Sequence, residues 1–424
     1  MPFREPIRKA TDFLLRHVND DGGLCATQPD APSGYWTTAE AIEAFLKSVH
    51  YPKGRLDRVE SMLGFILEGM CEGGGWPLLV GGLRASTMAT GHVLAALAIA
   101  ERELRPDSRL REHVIRHKEL AANWLIEKQN RDHGWSIEPD AETDKASRMI
   151  STTYALRGLV EAGYTARDSK TVSQAADYIQ SAANHDHGWG SQVGNASDPC
   201  NTARAVTCLI RCSRSRPSDR IVRQALGFIV KSRARWKFGQ AETETYVAQG
   251  SSGETVFNMN TPYDLLEAFM YAGYRGHEVR ELVSWFLRSQ EDDGRWFLEP
   301  ASRQTKPIST WPTSEAIIAL ELVQAQYVRP VFDNAARQSD RYRYWRAATG
   351  FLTLAVVAEY AYIRGAYTLI REWWQVMPGS LRQNLILYVI FGVLVAFGVT
   401  VVGNLVTRWI IERRALAKRK GADQ

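Results

Sequence analysis

The sequence predicts an all-α fold: an α/α6 toroid built from six helix-pair repeats, followed by C-terminal transmembrane helices. Three observations predict it. A Gly-rich turn closed by a large apolar residue recurs along the first three quarters of the chain. A threonine recurs in phase behind each turn, and a long uncharged apolar run stands near the C-terminus. With 424 residues, 45% of them hydrophobic, the chain can bury one large core.

The turns read Asp20-Asp-Gly-Gly-Leu24, Glu72-Gly-Gly-Gly-Trp76, Asp132-His-Gly-Trp135, Asp186-His-Gly-Trp189 and Asp293-Gly-Arg-Trp296, with a degenerate copy at Arg235-Trp236-Lys-Phe-Gly239. Their spacing, roughly 47 to 60 residues, is that of a helical repeat. A helix precedes each turn, as in Trp124-Leu-Ile-Glu-Lys-Gln129 and Trp285-Phe-Leu-Arg-Ser-Gln290. Glycine lets the chain turn tightly at the helix end, and the indole is expected to cover that end. Behind each turn stands Thr38, Thr90, Thr152, Thr202, Thr261 or Thr313, read here as an N-cap. Small and aliphatic residues follow, as in Val93-Leu-Ala-Ala-Leu97 and Ala316-Ile-Ile-Ala-Leu320, so the second helix of each repeat is expected to be buried on most sides.

The run Trp-Leu-x-x-x-Gln followed by Gly and Trp resembles the QW motif of squalene-type cyclases. Over about residues 1–330 the chain resembles the terpene-cyclase and protein-prenyltransferase β-subunit superfamily. The resemblance implies a ring whose second helices form an inner barrel, with their N-terminal ends around the active cavity. Such ends supply free N–H groups and partial positive charge. The residues two after each threonine, Glu40, His92, Tyr154, Arg204, Tyr263 and Glu315, are then candidate cavity-lining and ligand-binding residues, with Asp264 beside them. The alternative is that they are polar first-turn residues and nothing more.

At Asp198-Pro-Cys-Asn-Thr-Ala203 the resemblance reaches a catalytic motif. Class II terpene cyclases carry Asp-x-Asp-Asp-Thr-Ala at an inner-helix start, and the middle Asp protonates the substrate. Asp198 keeps the first acid, Cys200 stands in place of the proton donor, and Asn201 replaces the third. A thiol with a pKa of about 8.5 is a poor acid for an alkene. Asp198 and Cys200 are the catalytic candidates in a motif read as degenerate. Asp-x-Cys also resembles the zinc pair of prenyltransferase β subunits, with Asp264 the nearest third ligand, so zinc is a candidate cofactor held by Asp198, Cys200 and Asp264.

Leu385–Val406 is an apolar run long enough to span a bilayer, with Trp409 as an interface anchor and Arg413, Arg414 and Lys418 behind it. Ala347–Ile363 is a shorter apolar run carrying Glu359, read as a second span or as a helix lying on the surface. Met1-Pro-Phe-Arg-Glu-Pro opens on an amphipathic helix and not on a signal peptide, so both ends are expected in the cytoplasm. The expected organisation is a toroid over 1–330, a linker over 331–346, a transmembrane hairpin over 347–412 and a basic cytoplasmic tail over 413–424. The expected location is the membrane, with the toroid on its cytoplasmic side.

The body is close to neutral once the basic tail is set aside, which gives no case for nucleic-acid binding. The five cysteines suggest no disulfide framework. Two functions compete. The first is a non-catalytic toroid that binds a ligand or a protein partner and couples it to the hairpin, with membrane lipid and a second copy as partners. The second is a membrane-associated enzyme acting on a polyisoprenoid or other lipid. Damage to both catalytic signatures at one place favours the first.

Overall fold

The inner helices are short, Ala-rich and buried nearly all round, so each must be covered on several sides by others. In the computed structural model they are α2 (Tyr35–Lys47), α4 (Thr87–Glu103), α6 (Met149–Glu161), α8 (Pro199–Arg211), α10 (Thr261–Tyr271) and α12 (Thr310–Val323). The structure describes residues 3–26, 32–49, 56–142, 144–236, 242–247, 254–297, 310–328, 374 and 377–379. Each inner helix packs on the next, and α12 packs back on α2, which closes the ring. The outer helices are α1 (Arg4–Arg16), α3 (Leu56–Glu68), α5 (Arg109–Glu127), α7 (Lys170–Ser181), α9 (Arg220–Lys231) and α11 (His277–Ser289). They are one-sided: α9 buries Val222, Ala225, Leu226 and Ile229, at i, i+3, i+4 and i+7.

The tryptophans cover helix ends as expected. Trp76, Trp135, Trp189 and Trp296 are fully buried. Their Nε1–H groups donate to Ile66, Leu125, Ile179 and Phe286 carbonyls at 2.6–2.8 Å. Each of those carbonyls belongs to the last turn of an outer helix, where no helical N–H is available.

The threonines do something other than capping. Thr38, Thr90, Thr152, Thr202 and Thr313 are the fourth residues of their helices, and Gly34, Ser86, Arg148 and Asp198 hold the N-cap positions of the first four. The hydroxyls accept from the backbone N–H of Leu24, Trp76, Trp135, Trp189 and Trp296 at 2.9–3.0 Å. They pin the turn residue to the inner helix. Thr261 is the first residue of α10 and stands out of this register.

Two antiparallel hairpins interrupt the helices: β1 (Trp76–Pro77) with β2 (Ala85–Ser86), and β3 (Glu242–Val247) with β4 (Glu254–Met259). The second, running from Glu242 opposite Met259 to Val247 opposite Glu254, lies in the degenerate repeat and leads into α10.

The chain divides into a unit Met1–Asp333 and a unit Asn334–Gln424. One correction to the expected fold class and location follows. Among the described residues no helix is long and apolar enough to cross a membrane, so the transmembrane helices and the membrane location are withdrawn. The two apolar runs, with Glu359 and Trp409, lie outside the described residues.

Candidate active site in the lumen of the ring

Residues four apart share a helix face, so the inner helices line the lumen in layers. Trp36, Met88, Ile150, Cys200 and Trp311 are the second residues of α2, α4, α6, α8 and α12. One turn further in stand Glu40, His92, Tyr154, Arg204 and Glu315. In α10 the corresponding face is Asp264, Glu267 and Tyr271: Asp264 bonds Arg204, and the Tyr271 ring lies 5.3 Å from the Arg211 guanidinium. Tyr263, aligned through Thr261, lies deeper, where its hydroxyl accepts from Arg157 Nη2 at 3.2 Å.

The upper layer is apolar and aromatic. The Trp36 ring centroid is 6.1 Å from Trp311 and 6.0 Å from His92, and His92 is 4.0 Å from Tyr154. Leu78, Met88, Ile137, Ile150 and Tyr154 form a small apolar cluster with Trp36 against it. None of Trp36, Met88, Ile150 and Trp311 is among the predicted site residues. The signal was present, four positions before each of Glu40, His92, Tyr154 and Glu315.

The second layer is polar and buried throughout. Arg204 donates from Nε to Asp264 Oδ1 at 3.0 Å and from Nη2 to the Tyr154 hydroxyl at 3.4 Å. Cys200 donates from Sγ to Asp264 Oδ2 at 2.9 Å and lies 3.8 Å from Met259 Sδ. Asn260 Nδ2 donates to Glu315 Oε2 at 2.9 Å. Glu40 Oε1 lies 3.4 Å from His92 Nδ1, and Glu40 Oε2 has no hydrogen-bond partner among the described residues.

Below, Arg157 Nη2 meets Glu43 Oε1 at 2.7 Å, and Lys47 meets Glu43 at 2.7 Å and Glu161 at 3.2 Å. Arg211 pairs with Glu161.

Burial decides the protonation states. It pushes Glu40 up to about 8, against the nearby Arg157 charge. It pushes Glu315 well above the carboxylate range, helped by Glu40 and Asp264. It drives His92 well below its ordinary value, with Arg157 and Arg204 acting in the same sense. Burial would raise Glu43 too, but Arg157 and Lys47 outweigh it and hold that carboxylate below its usual range. At neutral pH the upper lumen therefore holds two neutral acids and a neutral imidazole above an ion-paired floor.

Asp198 is turned away from this site. It is the N-cap of α8, with Oδ1 accepting from Asn201 N at 2.7 Å and Oδ2 from Asn201 Nδ2 at 2.8 Å. Cys200 and Asp264 meet without it, and among the described residues no three His, Cys, Asp or Glu side chains are grouped to hold a metal. The Asp198, Cys200 and Asp264 set does not fit zinc.

No family model matches the chain. Drimenyl diphosphate synthase from Streptomyces showdoensis is 26% identical over 222 residues, 52% of this chain and 38% of that protein. The match therefore spans well under half of its relative's length. Among solved structures, the type II terpene cyclase MstE from Scytonema superposes with a TM-score of 0.51 at 13% identity, over 76% of this chain and 98% of that one. The α-1,6-mannanase GH76A of Salegentibacter sp. HEL1_6 superposes with a TM-score of 0.52 at 11% identity, over the same 76% and 98%. At such identities the structures speak for the fold alone. The ring of helix pairs with its repeated tryptophans, together with a terpene synthase homologue in sequence, makes this chain a member of the terpene-cyclase-like superfamily.

Proposed function

We propose that the lumen is the active site of an acid-initiated isoprenoid-transforming enzyme, with Glu40 as the proton donor in place of an Asp in the α8 motif. The observation that carries this reading is a neutral, buried carboxylic acid with a free oxygen, set one helical turn below an aromatic collar. An apolar chain can pass the collar without desolvating charge. The Glu40 proton then goes to the substrate's terminal double bond or epoxide oxygen, leaving a carboxylate and a carbocation. The Arg157 and Arg204 charges favour that carboxylate. The faces of Trp36, Trp311 and Tyr154 favour the cation. Loss of a proton from the final cation completes the turnover.

Glu40 is preferred to Glu315 because Glu315 is engaged by Asn260. An acid weakened by burial suits a basic oxygen better than a bare alkene, so an epoxide is the favoured substrate. A glycosidase reading is disfavoured, because it needs one ionised carboxylate opposite the acid and burial holds both of these neutral.

The test is incubation with linear polyprenyl alkenes, epoxides and diphosphates in deuterated water, with products read by mass spectrometry. The expected result is a cyclised product whose deuterium incorporation from solvent marks the initiating protonation, lost in Glu40→Gln and retained in Cys200→Ala. A toroid that only binds a ligand or partner gives no such product. Turnover that survives Glu40→Gln overturns the assignment.

A further inference from the structure

Below Tyr154 the lumen opens into a pocket between α6, α8 and α10 that encloses about 400 Å³ of empty space, its open mouth included. Tyr154 and Arg157 come from α6, Arg204, Thr207 and Arg211 from α8, and Asp264 and Glu267 from α10. From Arg204 to Arg211 the wall of α8 runs roughly 10 Å along the axis. The proton-transfer chemistry above uses neither Thr207 nor the free nitrogens of these arginines.

Hydrogen-bonding capacity left over at this wall is all of one kind. Arg204 Nη1, Arg157 Nε and Thr207 Oγ1 are buried and have no partner among the described residues. The three side chains are each more than nine-tenths buried. Both Asp264 oxygens are taken, by Arg204 and by Cys200. Two guanidinium N–H groups and a hydroxyl thus face the pocket with no acceptor to meet them. Buried donors in that state cost free energy unless something accepts from them.

Charge points the same way. The wall sets three arginines against two carboxylates, an excess of one positive charge at its surface. A dry hydrocarbon would leave the donors unmet. A cation would meet the arginines. A compact acceptor-only group bearing about one negative charge satisfies both counts, and planar or tetrahedral oxyanions are the groups that guanidinium forks match.

We infer that this pocket is an oxyanion-binding site, for a carboxylate or phosphate held by Arg157, Arg204 and Thr207. It rests on the proposed reading of the lumen only in assigning that oxyanion to the substrate's head group. Binding of the anion itself does not depend on any proton transfer by Glu40.

The experiment is calorimetric titration of the full chain with inorganic phosphate, pyrophosphate and benzoate, separately, with thermal unfolding followed alongside. Saturable binding of at least one is expected, with a matching rise in the unfolding temperature. Thr207→Val, which keeps side-chain volume and removes one donor, should weaken that binding about tenfold. Arg204→Lys keeps the charge facing Asp264 and removes the fork, and should weaken it further. Preference for benzoate over the phosphates would identify a carboxylate head group, and the reverse a phosphorylated one. If no probe binds, or if binding is unchanged in both variants while they melt as folded proteins, the inference is overturned. Cyclisation of a neutral isoprenoid by a chain that binds no anion would overturn it and leave the Glu40 assignment standing.

Discussion

Gly91 of α4 and Gly158 of α6 lie back to back, and a Cβ on Gly158 would meet the Gly91 carbonyl oxygen at 2.6 Å. A Cβ on Gly91 would lie 2.3 Å from the Tyr154 carbonyl oxygen. This contact lets the two helices approach closely enough for His92 and Tyr154 to stack. Gly91→Ala should therefore destabilise the ring by about 2 kcal/mol and part the stacked rings, read by denaturant unfolding and tyrosine fluorescence. Gly64, in α3, has nothing within reach of a new Cβ, so Gly64→Ala should stabilise by about 0.5–1 kcal/mol. Equal effects from the two would refute the steric account.

Thr152 should matter for its oxygen alone. Thr152→Val leaves the buried Trp135 N–H without its acceptor and should cost about 1–3 kcal/mol. Thr152→Ser restores the acceptor and should recover most of that loss in the same unfolding measurement. If valine and serine behave alike, the hydroxyl does not pin the turn.

Asp198 should act as a cap and not as an acid. Asp198→Ala should lose about 1 kcal/mol of stability, and Asp198→Ser should lose less, because serine also caps. Turnover, once a substrate is in hand, should persist in both at the stability-corrected level. Abolition of turnover in a folded Asp198→Ser protein would return Asp198 to the chemistry.

Stability should fall as pH rises from 6.5 to 8. Glu40 has a folded pKa near 8, well above its ordinary 4.5, so the folded state holds a proton the unfolded state has released. Its contribution is fully present below the unfolded pKa and is lost as pH rises through the folded value. Glu315 is raised in the same direction. His92 has the opposite sign, since its folded pKa lies below 6.5 and its contribution grows only as pH rises toward that value. Above 6.5 the carboxyls act without it, with a slope of up to about 1.4 kcal/mol per pH unit for each. Urea midpoints at pH 6.5 and 8 should show the fall, and Glu40→Gln should flatten it.

The architecture was legible because the turn and the threonine both recur in phase. Repeat five was misaligned for a physical reason. Its hairpin delays the start of α10, so Thr261 opens the helix and Asp264, not Tyr263, takes the place facing Arg204. The helix face of Glu40, His92, Tyr154, Arg204 and Glu315 follows from spacing alone. The aromatic collar lay one helical turn away and was passed over because it reads as ordinary core. Asp198 and Cys200 stand two apart in sequence, yet the cap bond turns one toward its own helix while the other faces Asp264. A motif read as a string cannot separate those two directions.

In the third repeat Gln129 Nε2 joins its own turn to the next outer helix, by bonds to His133 and Thr171 carbonyls at 2.9 and 3.0 Å. Gln290 makes the same pair of bonds in the sixth, to Gly294 and to Pro6 at 2.9 and 2.8 Å, and Pro6 belongs to α1. The first helix made is thus the outer neighbour of the last repeat, across 284 residues of chain. Unlike an open array, which can grow from any repeat, this ring gains its final interface in one long-range event. A chain short of its sixth turn leaves α1 without that neighbour, so partial rings should be the species that proteases and chaperones meet.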